Sequence, residues 1–186
     1  MRQNALLGAV AVALIAAGCT PKVQTTDIGK VGRVDPEALK TYAGKIKEFN
    51  AKVGAVLSEF GNKQEALKSM DVAGRRKALA ELAGKAKASL DALAPELRSL
   101  PHPVDLNEFH LAYSDALTAL TTGLGDISLG AANMDSDAAL DTALNAITDS
   151  SEKNRQKIER ALIVAGYDVN AWTQKTEFVP VAKPNP

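Results

Sequence analysis

The sequence predicts an all-α protein: an antiparallel up-down four-helix bundle that follows an N-terminal signal peptide and a flexible spacer. Three observations predict it. Apolar residues recur at alternating gaps of three and four, the spacing of a helix with one buried face. Only 4% of residues are aromatic while alanine and leucine dominate the apolar set, which favours helices over sheets. Helix-start and helix-stop residues punctuate the periodic runs at Asp35, Asp71, Asp105 and Gly166.

The first helix opens at Asp35-Pro36-Glu37. Aspartate accepts from the free amides, proline suits the first turn, and glutamate meets the positive end of the helix dipole. Leu39, Tyr42, Ile46, Phe49, Val53, Val56 and Phe60 then form one stripe. Gly61-Asn62 offers a stop, with Asn62 and Glu65 as a capping pair. Leu67 and Met70 nevertheless continue the stripe, so the helix is read on to about Ser69, with Asp71 capping the second. That second helix carries Leu79, Leu82, Ala86, Leu90, Leu93 and Leu97, and Pro95 is expected to bend it or end its regular part. "LPHP" at 100–103 is the break.

Asp105 with Glu108 three residues later reads as a capping box for the third helix, whose stripe is Leu106, Phe109, Tyr113, Leu117, Leu120, Leu124 and Ile127. It ends near Gly130. The fourth carries Leu140, Leu144, Ile147, Ile158, Leu162 and Ala165, and Gly166 supplies a left-handed stop. The bundle thus spans 35–166, and residues 167–186 read as an extended tail ending in the proline-spaced "VPVAKPNP". Trp172 and Phe178 in that tail either fold back over one end of the bundle or belong to a peptide recognised by another protein.

The N-terminus differs in character. Met1 and Arg2 give a short positive end, Ala5–Ala17 is uncharged and apolar, and Ala16-Ala17-Gly18 precede Cys19, the only cysteine. This is the layout of a secretory signal peptide over residues 1–18. Its apolar run reaches only about 20 Å as a helix, short of a hydrocarbon core of roughly 30 Å. Residues 16–19 resemble the lipobox of bacterial lipoproteins. The resemblance implies cleavage after Gly18 and a diacylglyceryl group on Cys19, which becomes the new N-terminus. Ala16 departs from the usual leucine. Residues 19–34 are then the lipidated cysteine and a polar spacer with Pro21, Gly29 and Gly32. Thr20, not aspartate, follows the cysteine; in a Gram-negative cell the lipoprotein sorting pattern implies the periplasmic face of the outer membrane. The rest of the chain is loosely similar to lipoproteins with short helical domains, a similarity that brings no activity with it.

Charge is balanced, with 22 Lys+Arg against 22 Asp+Glu, which argues against a nucleic-acid partner. Its distribution is uneven. Residues 20–98 hold 15 bases and 10 acids, whereas 99–186 hold 6 and 12, and no Lys or Arg lies between Ser99 and Glu152. Asp115, Asp126 and Asp141 mark the acidic side as a candidate face for a basic partner, and Arg75, Arg76 and Lys77 form the basic counterpart. Pairing of the two sides within the bundle is the simpler expectation.

Motifs for chemistry are missing. A di-iron bundle uses Glu-x-x-His, but Asn107 stands three before His110, and His102 sits in a loop. Both are expected to be hydrogen-bonded boundary histidines. Asn133, Asp135 and Asp137 look like the start of a calcium loop, yet Ala138 and Leu144 occupy the glycine and glutamate places, so capping of helix four is the better reading. Ser151 and Asn154 fall where the fourth stripe predicts apolar residues. They read as a polar gap in a partly exposed stripe, or, with Tyr113, as a polar core able to line a ligand cavity. No nucleophile–base pair or phosphate loop occurs.

The expectation is therefore a non-enzymatic, lipid-anchored envelope protein without metal or cofactor. It would be held to the membrane by covalent lipid and would present a charged face to an envelope protein. The alternative is a lipoprotein bundle that binds a small ligand.

Overall fold

The computed structural model describes residues 35–134 and 137–181. The signal peptide with Gly18, the lipidation site Cys19, the spacer, and residues 182–186 lie outside them. The described chain is all-α: α1 Pro36–Ala66, α2 Val72–Arg98, α3 Asn107–Gly130, α4 Asp137–Ala165 and a short α5 Val169–Lys175. One isolated antiparallel bridge, Tyr167 with Pro180, is the sole β pairing among the described residues.

The expected helix starts are observed at α1 and α2. Asp35 accepts from the Glu37 amide at 3.0 Å, and Asp71 accepts from the Gly74 amide at 2.7 Å. Between them α1 tightens into a 3-10 turn over Leu67–Ser69, as the continued stripe predicts. Pro95 does not end α2, which runs on to Arg98. Proline costs one amide donor there, in an exposed last turn where the Ser99 amide still reaches the Pro95 carbonyl at 3.0 Å. The Asp105–Glu108 capping box is not formed. A 3-10 turn at Val104–Leu106 precedes α3, whose N-cap position is Leu106 with no side-chain cap. Gly166 takes the left-handed conformation expected of it, at φ 81°.

The core is a leucine and alanine core with large rings at one end. Leu39, Ile46, Val53, Leu57 and Phe60 of α1 are buried with Leu79, Ala83, Leu90 and Leu97 of α2. Leu117, Leu120, Leu124 and Ile127 of α3 join Leu140, Ile147, Ile158 and Leu162 of α4. Leu57 is more deeply buried than the expected Val56, because an unsupercoiled helix drifts about 20° per heptad against a fixed seven-residue repeat.

Close approach of the helices depends on residues without bulk. A Cβ on Gly84 of α2 would stand 2.7 Å from Ser128 Oγ of α3, and one on Gly125 of α3 would lie 3.1 Å from Lys87 Cε of α2. These facing pairs make α2 and α3 antiparallel neighbours. On the other side of α3, a Cβ on Gly123 would fall 2.6 Å from Ile147 Cγ1 of α4. Arg76 donates from Nη1 to the Met134 carbonyl at 2.6 Å, tying the start of α2 to the turn after α3. No described helix is long and apolar enough to cross a membrane.

The segment read as an extended tail is not extended throughout. Asp168 Oδ1 accepts from the Asn170 and Ala171 amides and starts α5. Thr176, in the left-handed region at φ 57°, closes it. The chain then returns along itself, with the Asp168 amide donating to the Val179 carbonyl at 2.8 Å and the Val181 amide to the Gly166 carbonyl at 2.9 Å. A single aspartate cap and seven residues gave too little periodicity to read a helix there.

Two glycines separate steric fit from chain entropy. Gly123→Ala is expected to lower stability by about 1–3 kcal/mol, because the body of buried Ile147 must move. Gly44→Ala, with nothing within 4 Å of the new methyl, is expected to raise it by ~0.5–1 kcal/mol. Urea denaturation of both variants checks the opposite signs.

Candidate functional site

The largest polar cluster in the interior lies where α1, α3, the α2–α3 connection and the returned segment meet. Its residues come from positions the helical stripes already turn inward. Tyr42 is on the α1 stripe and 1% exposed; its hydroxyl and His110 Nδ1 of α3 are 2.9 Å apart. One turn on, Tyr113 donates its hydroxyl to Asn50 Oδ1 of α1. Both pairs join α1 to α3 through groups that need partners once water is gone.

Burial sets the protonation states. It pushes the Tyr42 hydroxyl well above the ordinary phenol range, reinforced by Tyr113, and does the same to Tyr113, partly offset by the hydrogen bond to Asn50. Burial, with a second contribution from His102, holds His110 down at about 4. Near neutrality His110 is therefore uncharged, and its Nδ1 shares a hydrogen bond with the Tyr42 hydroxyl, a group able to donate or accept.

His102 supplies the second imidazole. The two histidine rings stack with centroids 4.0 Å apart and planes 12° from parallel. His102 Nδ1 donates to the Leu100 carbonyl at 3.0 Å, and its Nε2 faces Asn107 Oδ1 at 3.3 Å. The expectation of hydrogen-bonded histidines is met, but the stacking was not foreseen. Among the described residues no group of three His, Cys, Asp or Glu is placed to hold a metal ion.

Trp172 and Phe178 fold back, the first of the two fates the sequence allowed. Phe178 stacks on Trp172 at 4.8 Å and on Tyr42 at 5.6 Å, and meets Phe109 and Tyr167 edge-on at 5.3 and 5.6 Å. Trp172 meets Phe109 and Tyr113 edge-on at 4.7 and 6.3 Å.

The other predicted site residues are dispersed. Asp115 and Asp126 are exposed on the outer face of α3, and Asp141 is half-buried on α4. Neither Asp115 nor Asp126 has an ion-pair partner among the described residues. The ion pairs include Lys45–Glu48, Lys63–Glu59 and Lys87–Asp91 within helices, Arg155 with Glu152 and Glu159 on α4, and Lys52–Glu96 at 2.6 Å between α1 and α2. Ser151 is half-buried, as a gap in an exposed stripe would be, but Asn154 is buried at 6% exposure. Tyr113 turns its hydroxyl to Asn50, a residue the sequence reading passed over because it lies beside the stripe residue Phe49. The expected capping by Asp135 and Asp137 lies outside the described residues and side chains.

Comparison of the chain with models of protein families, with curated proteins and with solved structures gives no match.

Tyr113→Phe is expected to destabilise by about 1–3 kcal/mol, because Asn50 then keeps a buried carbonyl oxygen without this donor. Adding Asn50→Leu should recover much of that loss. A urea-denaturation double-mutant cycle reads the coupling; independent losses that simply add would show that the pair contributes nothing as a pair.

Proposed function

We propose that this protein is a lipid-anchored cell-envelope component. Its four long helices form an antiparallel up-down bundle, and it acts by binding a partner rather than by catalysis. The reading rests on Cys19: the only cysteine of the chain directly follows an apolar run and the small residues Ala16, Ala17 and Gly18. Cleavage after Gly18 leaves Cys19 as the acylated N-terminus. Several acyl chains at ~0.8 kcal/mol per buried methylene anchor such a protein stably. In a Gram-negative cell the body then faces the periplasm from the outer membrane.

The partner surface in this reading is the outer face of α3. Asp115 and Asp126 are exposed on it without ion pairs among the described residues, while Lys45, Lys52, Lys87 and Arg155 on the other helices are paired with nearby carboxylates. Half-buried Asp141 adds negative charge from α4. A basic surface of another envelope protein fits this field, and fields of this kind act mainly on association rate and partner choice.

Two measurements test the two halves. The Cys19→Ala variant should leave the membrane fraction or remain unprocessed, and mass spectrometry of the natural protein should find an acylated cysteine; a bare thiol overturns the anchor. Reversing Asp115, Asp126 and Asp141 to lysine should weaken capture of the partner from detergent extracts by about tenfold or more at low salt. Unchanged capture overturns the acidic face.

A further inference from the structure

We infer that residues 176–181 form a proton-operated latch, in which Phe178 is the bolt held in a box of rings and His110 is the sensor that releases it. This inference is independent of the anchoring and partner reading above. The box is built by Tyr42 of α1, Phe109 of α3, Trp172 of α5 and Tyr167, all within 5.6 Å of the Phe178 ring by centroid. Tyr42 is the common element. It also touches both imidazoles, each at 6.0 Å, so the ring that holds the bolt is the ring that receives any change at the sensor. Between Thr176 and Val181 the returning chain is held by the Asp168–Val179 and Val181–Gly166 backbone bonds, and Val179 and Pro180 are exposed. Releasing this segment exposes little backbone compared with opening any pair of long helices.

What acid changes is charge, not bonding capacity. A protonated His110 still hydrogen-bonds Tyr42, whose hydroxyl can turn to accept. The imidazolium, however, is buried at 4% exposure and stacked 4.0 Å from a second imidazole. From α1 it is faced by neutral Tyr42, from the α2–α3 connection by His102, and from its own helix by neutral Tyr113. Burial and, second to it, Asp105 of the same connection push the Tyr167 hydroxyl up. The hydrogen-bond and stacking partners of His110, Tyr42 and His102, carry no negative charge, so an imidazolium there is stabilised by letting water in.

The direction follows from proton linkage. His110 titrates at about 4 in the closed state, against ~6.5 for a solvated histidine. Above pH ~6.5 neither state binds the proton and the closed state keeps its full stability; as pH falls toward 4 only the open state binds it. Across that window the closed state loses up to about 300-fold in its equilibrium against the open one.

The single tryptophan reads the latch directly. In the full chain, lowering pH from 7.5 to 4 should shift Trp172 emission and raise its quenching by acrylamide, while the far-ultraviolet helix signal holds. Phe178→Ala should show the acid-type emission already at pH 7.5. His110→Gln, which keeps a partner for Tyr42 but cannot titrate, should abolish the transition. His102→Gln should move it to lower pH, and Asp105→Asn should leave it in place. A wild-type transition that coincides with loss of helix signal overturns the latch, as does an unaltered transition in His110→Gln. Should that variant lack native helix signal at pH 7.5, the His102→Gln midpoint decides, and an unshifted midpoint overturns the proposal.

Discussion

Much of the molecule depends on keeping one phenol dry. Tyr42 lies in the stripe that turns α1 toward its neighbours, so its ring is carried inside with Leu39 and Ile46. A buried hydroxyl without a partner would cost more than the ring gains by burial at its edge. His110 provides that partner, and it stays uncharged near neutrality because the same burial disfavours its proton. The two groups therefore enforce one another's state. Around this pair the chain assembles most of its scarce aromatic rings, and the returned C-terminal segment closes over them.

The remainder of the interior solves a different problem. With few large side chains available, the long helices reach close packing by approaching one another at alanines and glycines. Ala83 and Ala86 on α2 and Ala116 on α3 are buried, and Gly84, Gly123 and Gly125 mark places where a methyl group would collide. The α3–α4 interface at Gly123 tolerates little change in volume, since the facing Ile147 is buried and branched. The two halves of the molecule thus differ in kind: a tight small-residue body, and an end filled by rings whose polar atoms are paired one to one.

The sequence made the helices legible because their apolar spacing, caps and breaks agree. Asp35, Asp71 and Gly166 do at the helix ends what their chemistry predicts. It misled at Asp105, where the capping pattern is present but a 3-10 turn claims the residue and leaves its Oδ2 buried without a hydrogen bond. The ring cluster was harder to read. Stripe analysis marks Tyr42, Phe109 and Tyr113 as inward, but says nothing of which hydroxyl meets which acceptor across helices. Asn50 was invisible as core because a polar residue beside a stripe is more often at the surface, whereas Asn154 stands at a stripe position and is buried. The stacking of His102 on His110 needs the loop conformation set by "LPHP", which no local rule supplies.

The two halves also assign the work that each can do. Face recognition needs side chains held in register, and α3 is gripped on one side by α2 through Gly125 and Gly84 and on the other by α4 through Gly123. Asp115 and Asp126 are thus exposed on a helix packed against neighbours on two sides. A device that responds to its surroundings needs the reverse: a segment whose release disturbs few contacts, coupled to a group whose charge changes within reach of ordinary pH. Residues 178–181 have both properties, since they are held by a pair of backbone bonds and one inserted ring, and Tyr42 links that ring to the histidines. α3 thus takes part in both regions, with Phe109, His110 and Tyr113 in the ring-filled end and Gly123 and Gly125 in the close-packed body.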